Sequence, residues 1–375
     1  MKIYYINKTR LYDNMPSTVF SMLNAYSFAQ HGHDVTIILK SPAGPINYDF
    51  ESFFNLPKLN NFHIIDLSDT GLRIQNNEIF YRRANKFIQF NASPDVILTR
   101  DPGYLPFLYQ LKRKLQVKIF YQSHNFYLNT DLQPDQKKIN QKKYQRYEKK
   151  YIPKLDGLFT LNQSQKKLYE QYTSVPIYSV IPGLQNIFDS KDNFNNKLVA
   201  YSGSLQMKKG VDLLLHAFAR LKKKSAKLVL IGGRHDREIE PVLRLAEELN
   251  ITDRIKITGW ISYAAVQKYL KKATVGILPL KDTFYNRYLT APSKLFDYIA
   301  HGIPVIASDL PAIRDIDESH NSLIYTKPEN VKQLTSKIDE LLNNQNLYSD
   351  YSNRSHQLAK NYLWKNCGKR MLDKF

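Results

Sequence analysis

The chain has 375 residues, enough for two hydrophobic cores, and 43% hydrophobic content marks it as globular rather than disordered. Its single cysteine, Cys367, excludes an internal disulfide, and no apolar run approaches the roughly 18 residues that span a bilayer. A formal charge of +20, spread over both halves, favours anionic partners.

Lys2 runs straight into Ile3-Tyr4-Tyr5-Ile6, which reads as a first strand rather than a leader. These features predict a protein of a reducing, cytoplasmic compartment, at most peripheral on the inner face of a membrane. The loop after this strand, Asn14–Thr18, opens the next helix, Thr18–Gln30. Ser17 and Thr18 there either meet phosphate or acceptor, with Asn14, or cap the helix. His31 and His33 flank Gly32 and read as structural. Strands are predicted at His33–Leu39, Phe62–Leu67, Asp95–Thr99, Lys118–Ser123 and Gly157–Leu161, with helical patterns between them. Strands alternating with helices imply a doubly wound parallel sheet. Residues 137–154 hold eight basic residues and one acid. At helical spacing they form either a surface for anionic lipid or nucleic acid, or a solvated helix face.

Pro176, Pro182 and Gly183 interrupt the pattern, and Asp189–Lys197 reads as a linker. A second alternation follows, with strands at Leu198–Ser202, Lys227–Ile231, Ile255–Thr258, Val275–Leu278, Val305–Ala307 and Ser322–Tyr325. The domains are therefore set at 1–183 and 198–355, and the tail to Phe375 is mostly helical.

Two segments carry the chemistry. Strand Leu198–Ser202 enters a turn, Gly203-Ser204-Leu205-Gln206-Met207-Lys208-Lys209-Gly210, and then a helix. This geometry lets backbone and Lys208 or Lys209 approach a diphosphate. Gly232-Gly233 follows another strand end. Further on, a polar loop runs through Thr290, Ala291 and Pro292 into Ser293 and a short helix, Lys294–Ala300. Gly302 ends that helix. Free amides at a helix start, with Lys294 beside them, favour an anion. Asp297 lies one turn deeper on the same face, where a carboxylate suits the vicinal hydroxyls of a ribose. Together these features describe a nucleotide-sugar site. The alternative is an ordinary capped helix with Lys294 and Asp297 as an i,i+3 surface pair. No histidine cluster has metal-ligand spacing. Asp315-Ile-Asp317 reads as an acidic helix start, so no metal or other cofactor is expected. The spacing after Leu198–Ser202 is neither GxGxxG nor a P-loop, which excludes a dinucleotide-dependent oxidoreductase.

These residues resemble the family-4 retaining glycosyltransferases of the GT-B fold. That family opens its second domain with Gly-Arg-Leu, three residues, Lys-Gly; here it reads Gly203-Ser204-Leu205, then Lys209-Gly210. The family's Glu, seven residues, Glu falls on Leu289 and Asp297, ahead of Ala300-His-Gly-Ile-Pro-Val305. Gln30-His-Gly-His-Asp-Val, Pro94-Asp-Val-Ile-Leu-Thr-Arg-Asp101 and Ser123-His124-Asn125 match in the first half. The resemblance implies two Rossmann-like domains facing across a cleft, acceptor in the first and nucleotide sugar in the second. A C-terminal helix, 356–375, would cross back to the first domain.

The implied reaction moves a hexose with retention, through same-face attack within an ion pair, from a nucleoside diphosphate sugar to a glycan or lipid-linked acceptor. It would serve bacterial exopolysaccharide or surface-glycan synthesis. UDP-glucose is the preferred donor, with GDP-mannose and UDP-N-acetylglucosamine as alternatives. By resemblance His124 faces the donor sugar, the backbone at Gly259-Trp260-Ile261 meets the base, and Leu295 lies in the donor segment. Two departures stand out. Ser204 replaces a diphosphate-binding arginine and Leu289 replaces the first glutamate. Lys294 is expected to compensate the first, and the amides of Thr290–Ser293 the second. An anionic membrane at Lys137–Lys154 suits a lipid-linked acceptor. A basic nucleic-acid-binding protein, with Tyr144, Tyr147 and Tyr151 among the lysines, is the remote alternative, and no nucleic-acid partner is expected.

Overall fold

The computed structural model describes residues 1–13, 15–42, 49–68, 76–91, 93–133 and 140–375. They divide into two units: residues 1–182 with 364–375, and residues 183–363. The break falls at Pro182, and the tail changes units at Trp364. Residues 356–363 therefore stay with the second unit instead of joining the first with the rest of the expected helix 356–375.

The first unit holds strands β1 (Lys2–Arg10), β2 (Asp34–Lys40), β3 (Phe62–Leu67), β4 (Val96–Thr99), β5 (Lys118–Gln122), β6 (Gly157–Thr160) and β7 (Ile177–Ser179). Its helices are α1 (Pro16–Ala29), α2 (Phe50–Phe54), α3 (Asn77–Phe90), α4 (Leu105–Lys114), α5 (Gln141–Tyr151) and α6 (Gln163–Glu170). The sheet order is β3-β2-β1-β4-β5-β6-β7 and every pair is parallel. β4 and β6 are buried along their whole length, as expected of strands covered on both faces. β1 outruns its predicted end because, after an irregularity, Arg10 pairs again with Lys40. β7 lies in the stretch expected to be irregular; as an edge strand it tolerates the proline before it.

The second unit holds β8 (Leu198–Ser202), β9 (Lys227–Ile231), β10 (Ile255–Ile257), β11 (Val275–Leu278), β12 (Val305–Ser308) and β13 (Ile324–Thr326). Its helices are α7 (Val211–Ala219), α8 (Asp236–Glu248), α9 (Tyr263–Leu270), α10 (Ser293–Ala300), α11 (Pro311–Arg314), α12 (Val331–Asn343) and α13 (Gln345–Lys360). The order is β10-β9-β8-β11-β12-β13, again all parallel. Both sheets thus run third-second-first-fourth, the Rossmann order, which reverses beside the first strand. The last helix, α14 (Trp364–Leu372), belongs to the first unit, where Trp364, Cys367 and Met371 join Ile3, Tyr5 and Phe28 in the core. Gly368 packs so closely on α1 that a β-carbon would fall 2.1 Å from Ser27 Oγ.

Two local expectations are corrected. The first turn of α1 begins after Met15 with Pro16 at N1, so Ser17 and Thr18 lie inside the helix instead of capping it. Thr18 is buried and its hydroxyl reaches Arg10 O at 3.5 Å. Asp315 and Asp317 follow the end of α11, so they do not open a helix. Asp317 is fully buried and accepts from the backbone of Ser322 and Leu323 and from the Tyr325 hydroxyl. Its lone pairs are committed to a turn.

The start of α7 shows how tightly the second unit is set. Gly210 has φ +82°, and a β-carbon there would lie 1.7 Å from Pro279 O. Gly210→Ala is expected to destabilise the protein by roughly 2–4 kcal/mol, from overpacking and left-handed strain together. The urea midpoint followed by circular dichroism measures this.

Candidate functional site

Three neighbouring strands of the second unit end in glycine. Gly203 follows β8, Gly232-Gly233 follows β9 and Gly259 lies two residues beyond β10, all at positive φ. A β-carbon on Gly232 would stand 2.0 Å from Gly203 O, so only glycine lets these turns touch. Thr258 secures them, accepting from Gly232 N at 3.2 Å and donating to Gly259 O at 2.8 Å. The carboxyl end of this sheet therefore presents bare backbone.

On the other side of β8 lies β11, where the strand order reverses. Ligands of open α/β sheets bind at such a point. The chain leaves β11, passes a wide helical turn at Tyr285–Leu289, and enters α10. Pro292 is the N-cap and no side chain caps the helix; Leu295 N donates to Pro292 O at 2.9 Å, so only the amides of Ser293 and Lys294 are left for an outside acceptor. Leu289, in the place of the family's first glutamate, is fully buried and faces the core.

The structure brings Gly203 and Lys294 together. Lys294 Nζ lies 3.7 Å from the centre of the Tyr201 ring, and a β-carbon on Gly203 would meet it at 3.2 Å. Lys209 Nζ stands 5.6 Å from the Tyr285 ring. Among the described residues neither ammonium has a carboxylate partner. Burial, and then repulsion by Lys209, pull the Lys294 ammonium down to about 7. Burial and the charge of Lys208 also hold Lys209 below its ordinary range. The two ammonium groups are near enough to repel each other.

The surface-pair alternative does not describe Lys294 and Asp297, which take separate partners. Asp297 Oδ1 accepts from the Tyr263 hydroxyl at 3.3 Å. Burial pushes its carboxyl up to about 6, against hydrogen bonds from Tyr263 and Gln267. Ser204 donates to Glu238 Oε1 at 3.3 Å, and Gln206 donates to the same oxygen at 3.1 Å. The corner at Ser204 is therefore acidic. Thr290 and Leu295 are buried, Ala291 and Pro292 half-buried, and Ser293 exposed.

Trp260 is 58% exposed, and the guanidinium of Arg234 stacks on it with Cζ 4.2 Å from the ring centre. Ile261 beside it is half-buried. The sequence singled out Trp260 but gave no sign of Arg234, Tyr201, Tyr263 or Glu238, because their partners lie elsewhere in the chain.

In the first unit, His124 follows β5 and is exposed, so it is not a buried structural histidine. Lys8, after the first stretch of β1, pairs with the buried Asp101 at 2.9 Å beyond β4. Tyr81 donates to the other oxygen of Asp101 and Gly103 N donates to Oδ1. Sequence reasoning missed this pair. Asn14 lies outside the described residues, as do Lys137 and Lys138 of the basic segment. Among the described residues, no three His, Cys, Asp or Glu side chains converge as a metal site would need.

Comparison with known proteins agrees with this geometry. Residues 25–183 match Glycosyltransferase Family 4 and residues 185–358 match Glycosyl transferases group 1. The chain belongs to these glycosyltransferases, its first unit carrying the one domain and its second unit the other. An uncharacterised glycosyltransferase of Haemophilus influenzae is 24% identical over 215 residues, 55% of this chain and 57% of that relative. The match thus spans little more than half the length of that curated relative. Sucrose-phosphate synthase of Thermosynechococcus elongatus superposes with a TM-score of 0.77 at 16% identity, over 99% of this chain and 97% of that one. HepE of Anabaena, solved with UDP, gives 0.75 at 11% identity, over 100% and 99%. These likenesses establish the GT-B fold.

The Lys209–Lys294 repulsion has a direct test. Replacing Lys209 with Met should raise the titration midpoint of Lys294 from near 7, because a like charge disappears. NMR of isotope-labelled lysine follows it.

Proposed function

We propose that the chain transfers a hexosyl group, with retention and without a metal, from a nucleoside diphosphate sugar to a glycan or lipid-linked acceptor. The observation that carries this reading is that Lys294, on Tyr201, and Lys209, on Tyr285, are near enough to repel each other and have no counter-ion among the described residues, beside the start of α10 that no side chain caps. A departing diphosphate gains negative charge, and fixed amides and ammonium groups stabilise it where that charge develops. Since Glu238 occupies the Ser204 corner, the diphosphate sits toward the two lysines and the backbone of Thr290–Ser293, where Pro292 has no N–H to give. Lys294 thereby supplies the charge that an arginine at 204 would bring.

Asp297 receives the ribose hydroxyls, and the base lies over the Gly259–Ile261 turn beside Trp260. His124 bonds a hydroxyl of the transferred sugar. The sugar leaves within an ion pair, and a diphosphate oxygen takes the proton of the acceptor hydroxyl on the same face. HepE, solved with UDP-glucose, puts that donor first for testing, ahead of GDP-mannose and UDP-N-acetylglucosamine. A role in bacterial surface-glycan synthesis follows if the acceptor is lipid-linked.

Calorimetry should detect UDP binding, and Lys209→Ala and Lys294→Ala should each weaken it roughly tenfold, about 1.4 kcal/mol. Because the free Lys294 ammonium titrates near 7, bound diphosphate should draw a proton onto it above that pH. UDP affinity should then fall as pH rises past 7, and the binding heat should depend on the buffer's ionisation enthalpy. With Trp364→Phe, Trp260 remains the sole indole, and UDP should change its emission. Heat with GDP alone rejects the preferred donor; no heat with any nucleotide, or unchanged affinity in both lysine variants, rejects the site. Activity should survive chelation.

The outward face of α5 supports a second proposal, docking on an anionic membrane. Lys142, Arg146, Lys149 and Lys150 line one exposed groove there, while Lys143 pairs with Glu78 at 3.3 Å. Among the described residues no helix is long and apolar enough to cross a membrane. The protein should sediment with phosphatidylglycerol vesicles at low salt and be released as salt screens the attraction. Failure to sediment removes this proposal and leaves the donor site standing.

A further inference from the structure

The inward face of α5 carries one acid, Glu148, fully buried in the first unit. Its carboxylate accepts from Tyr127 N at 2.9 Å, from the Tyr169 hydroxyl at 3.0 Å and from the Tyr121 hydroxyl at 3.2 Å. Tyr121 lies on β5 and Tyr169 on α6, so one side chain ties three elements together. Burial pushes the Glu148 carboxyl up to about 8, against the hydrogen bonds from Tyr127, Tyr169 and Tyr121.

What these bonds hold is the turn after β5. Asn125 O accepts from Gln165 Nε2 at 3.0 Å and from Ser123 Oγ, and the Tyr169 hydroxyl, which can donate to it or to Glu148, lies 3.0 Å away. Ser123 Oγ and the Tyr169 hydroxyl are 2.8 Å apart. Ser123 and Asn125 are buried, whereas His124 between them is exposed. The turn is thus fixed on both sides of the histidine, by Tyr169 through Ser123 and Asn125 and by Glu148 through Tyr127. A hydroxyl has one proton, so the choice between Glu148 and Asn125 O as its acceptor depends on what Glu148 accepts.

We infer that Glu148 is a positioning residue for His124, setting the turn that aims the imidazole without itself touching substrate. The inference rests on the reading that His124 contacts the transferred sugar. Glutamine keeps the volume of Glu148 but puts an amide N–H where one oxygen accepts, so one of the three donors loses its acceptor. Tyr169→Phe keeps the ring in the core and removes the shared hydroxyl.

The test uses full-length protein labelled with isotopic histidine, the His124 resonances being assigned by their loss in His124→Ala. In Glu148→Gln and Tyr169→Phe these resonances should shift or split. Turnover should fall roughly tenfold to a hundredfold, and the UDP dissociation constant should stay unchanged, because the nucleotide residues belong to the other unit. His124 resonances that coincide with wild type in both folded variants overturn the inference, even if both melt at lower temperature, since a purely structural acid would do only that. If Glu148→Gln does not fold, Tyr169→Phe decides by the same readout. Should His124→Ala leave turnover intact, the reading of His124 fails, and the resonance shift still judges whether Glu148 sets the turn.

Discussion

The Lys294 ammonium, held against the face of Tyr201 and without a carboxylate partner among the described residues, is the interaction on which the reading of the second unit depends. Such a group is unfavourable in an empty protein. Its burial and the nearby Lys209 both work against its charge. The strand ends beside it are set by close backbone contacts. A β-carbon on Gly232 would strike Gly203 O, and one on Gly210 would strike Pro279 O.

The acidic groups are arranged in the same spirit. Glu238 is held below the usual carboxylate range: burial opposes this, but hydrogen bonds from Gln206, Arg234 N, Ser204 and Leu205 N outweigh it. That keeps its charge at the Ser204 corner, where Ser204 and Gln206 donate to it. Asp297, pushed up by burial, sits a turn into α10 with Tyr263. Lys209, Lys294, Glu238 and Asp297 thus each take separate partners near the carboxyl ends of this sheet.

Much of the architecture was legible because parallel strands buried on both faces read as unbroken apolar runs. Val275–Leu278 and Lys227–Ile231 have the bounds their sequences suggest. β7 was not legible, since a proline and two polar-tipped residues carry no such signature. The end of β1 was hidden for another reason: its second stretch depends on pairing with Lys40, a partner no local pattern reveals. In the site, Lys209 and Lys294 could be read because each sits beside a turn glycine or a helix start. Arg234 on Trp260, Tyr201 under Lys294 and Glu148 under the His124 turn could not, because each contact joins distant residues. Ser17, Thr18, Asp315 and Asp317 misled because their residue types suit helix starts, while the actual boundaries were set by Pro16 and by the turn that Asp317 closes.

The first unit is discontinuous in sequence. Trp364, Cys367 and Met371 complete a core begun by Ile3 and Tyr5, and Gly368 lies against Ser27 of α1. On the ribosome, where domains generally form in the order they emerge, the leading half must wait with an open apolar seam until the trailing residues are made. The second unit has no such delay. Fusions or deletions at the far end of the chain would therefore disturb the half that is translated first.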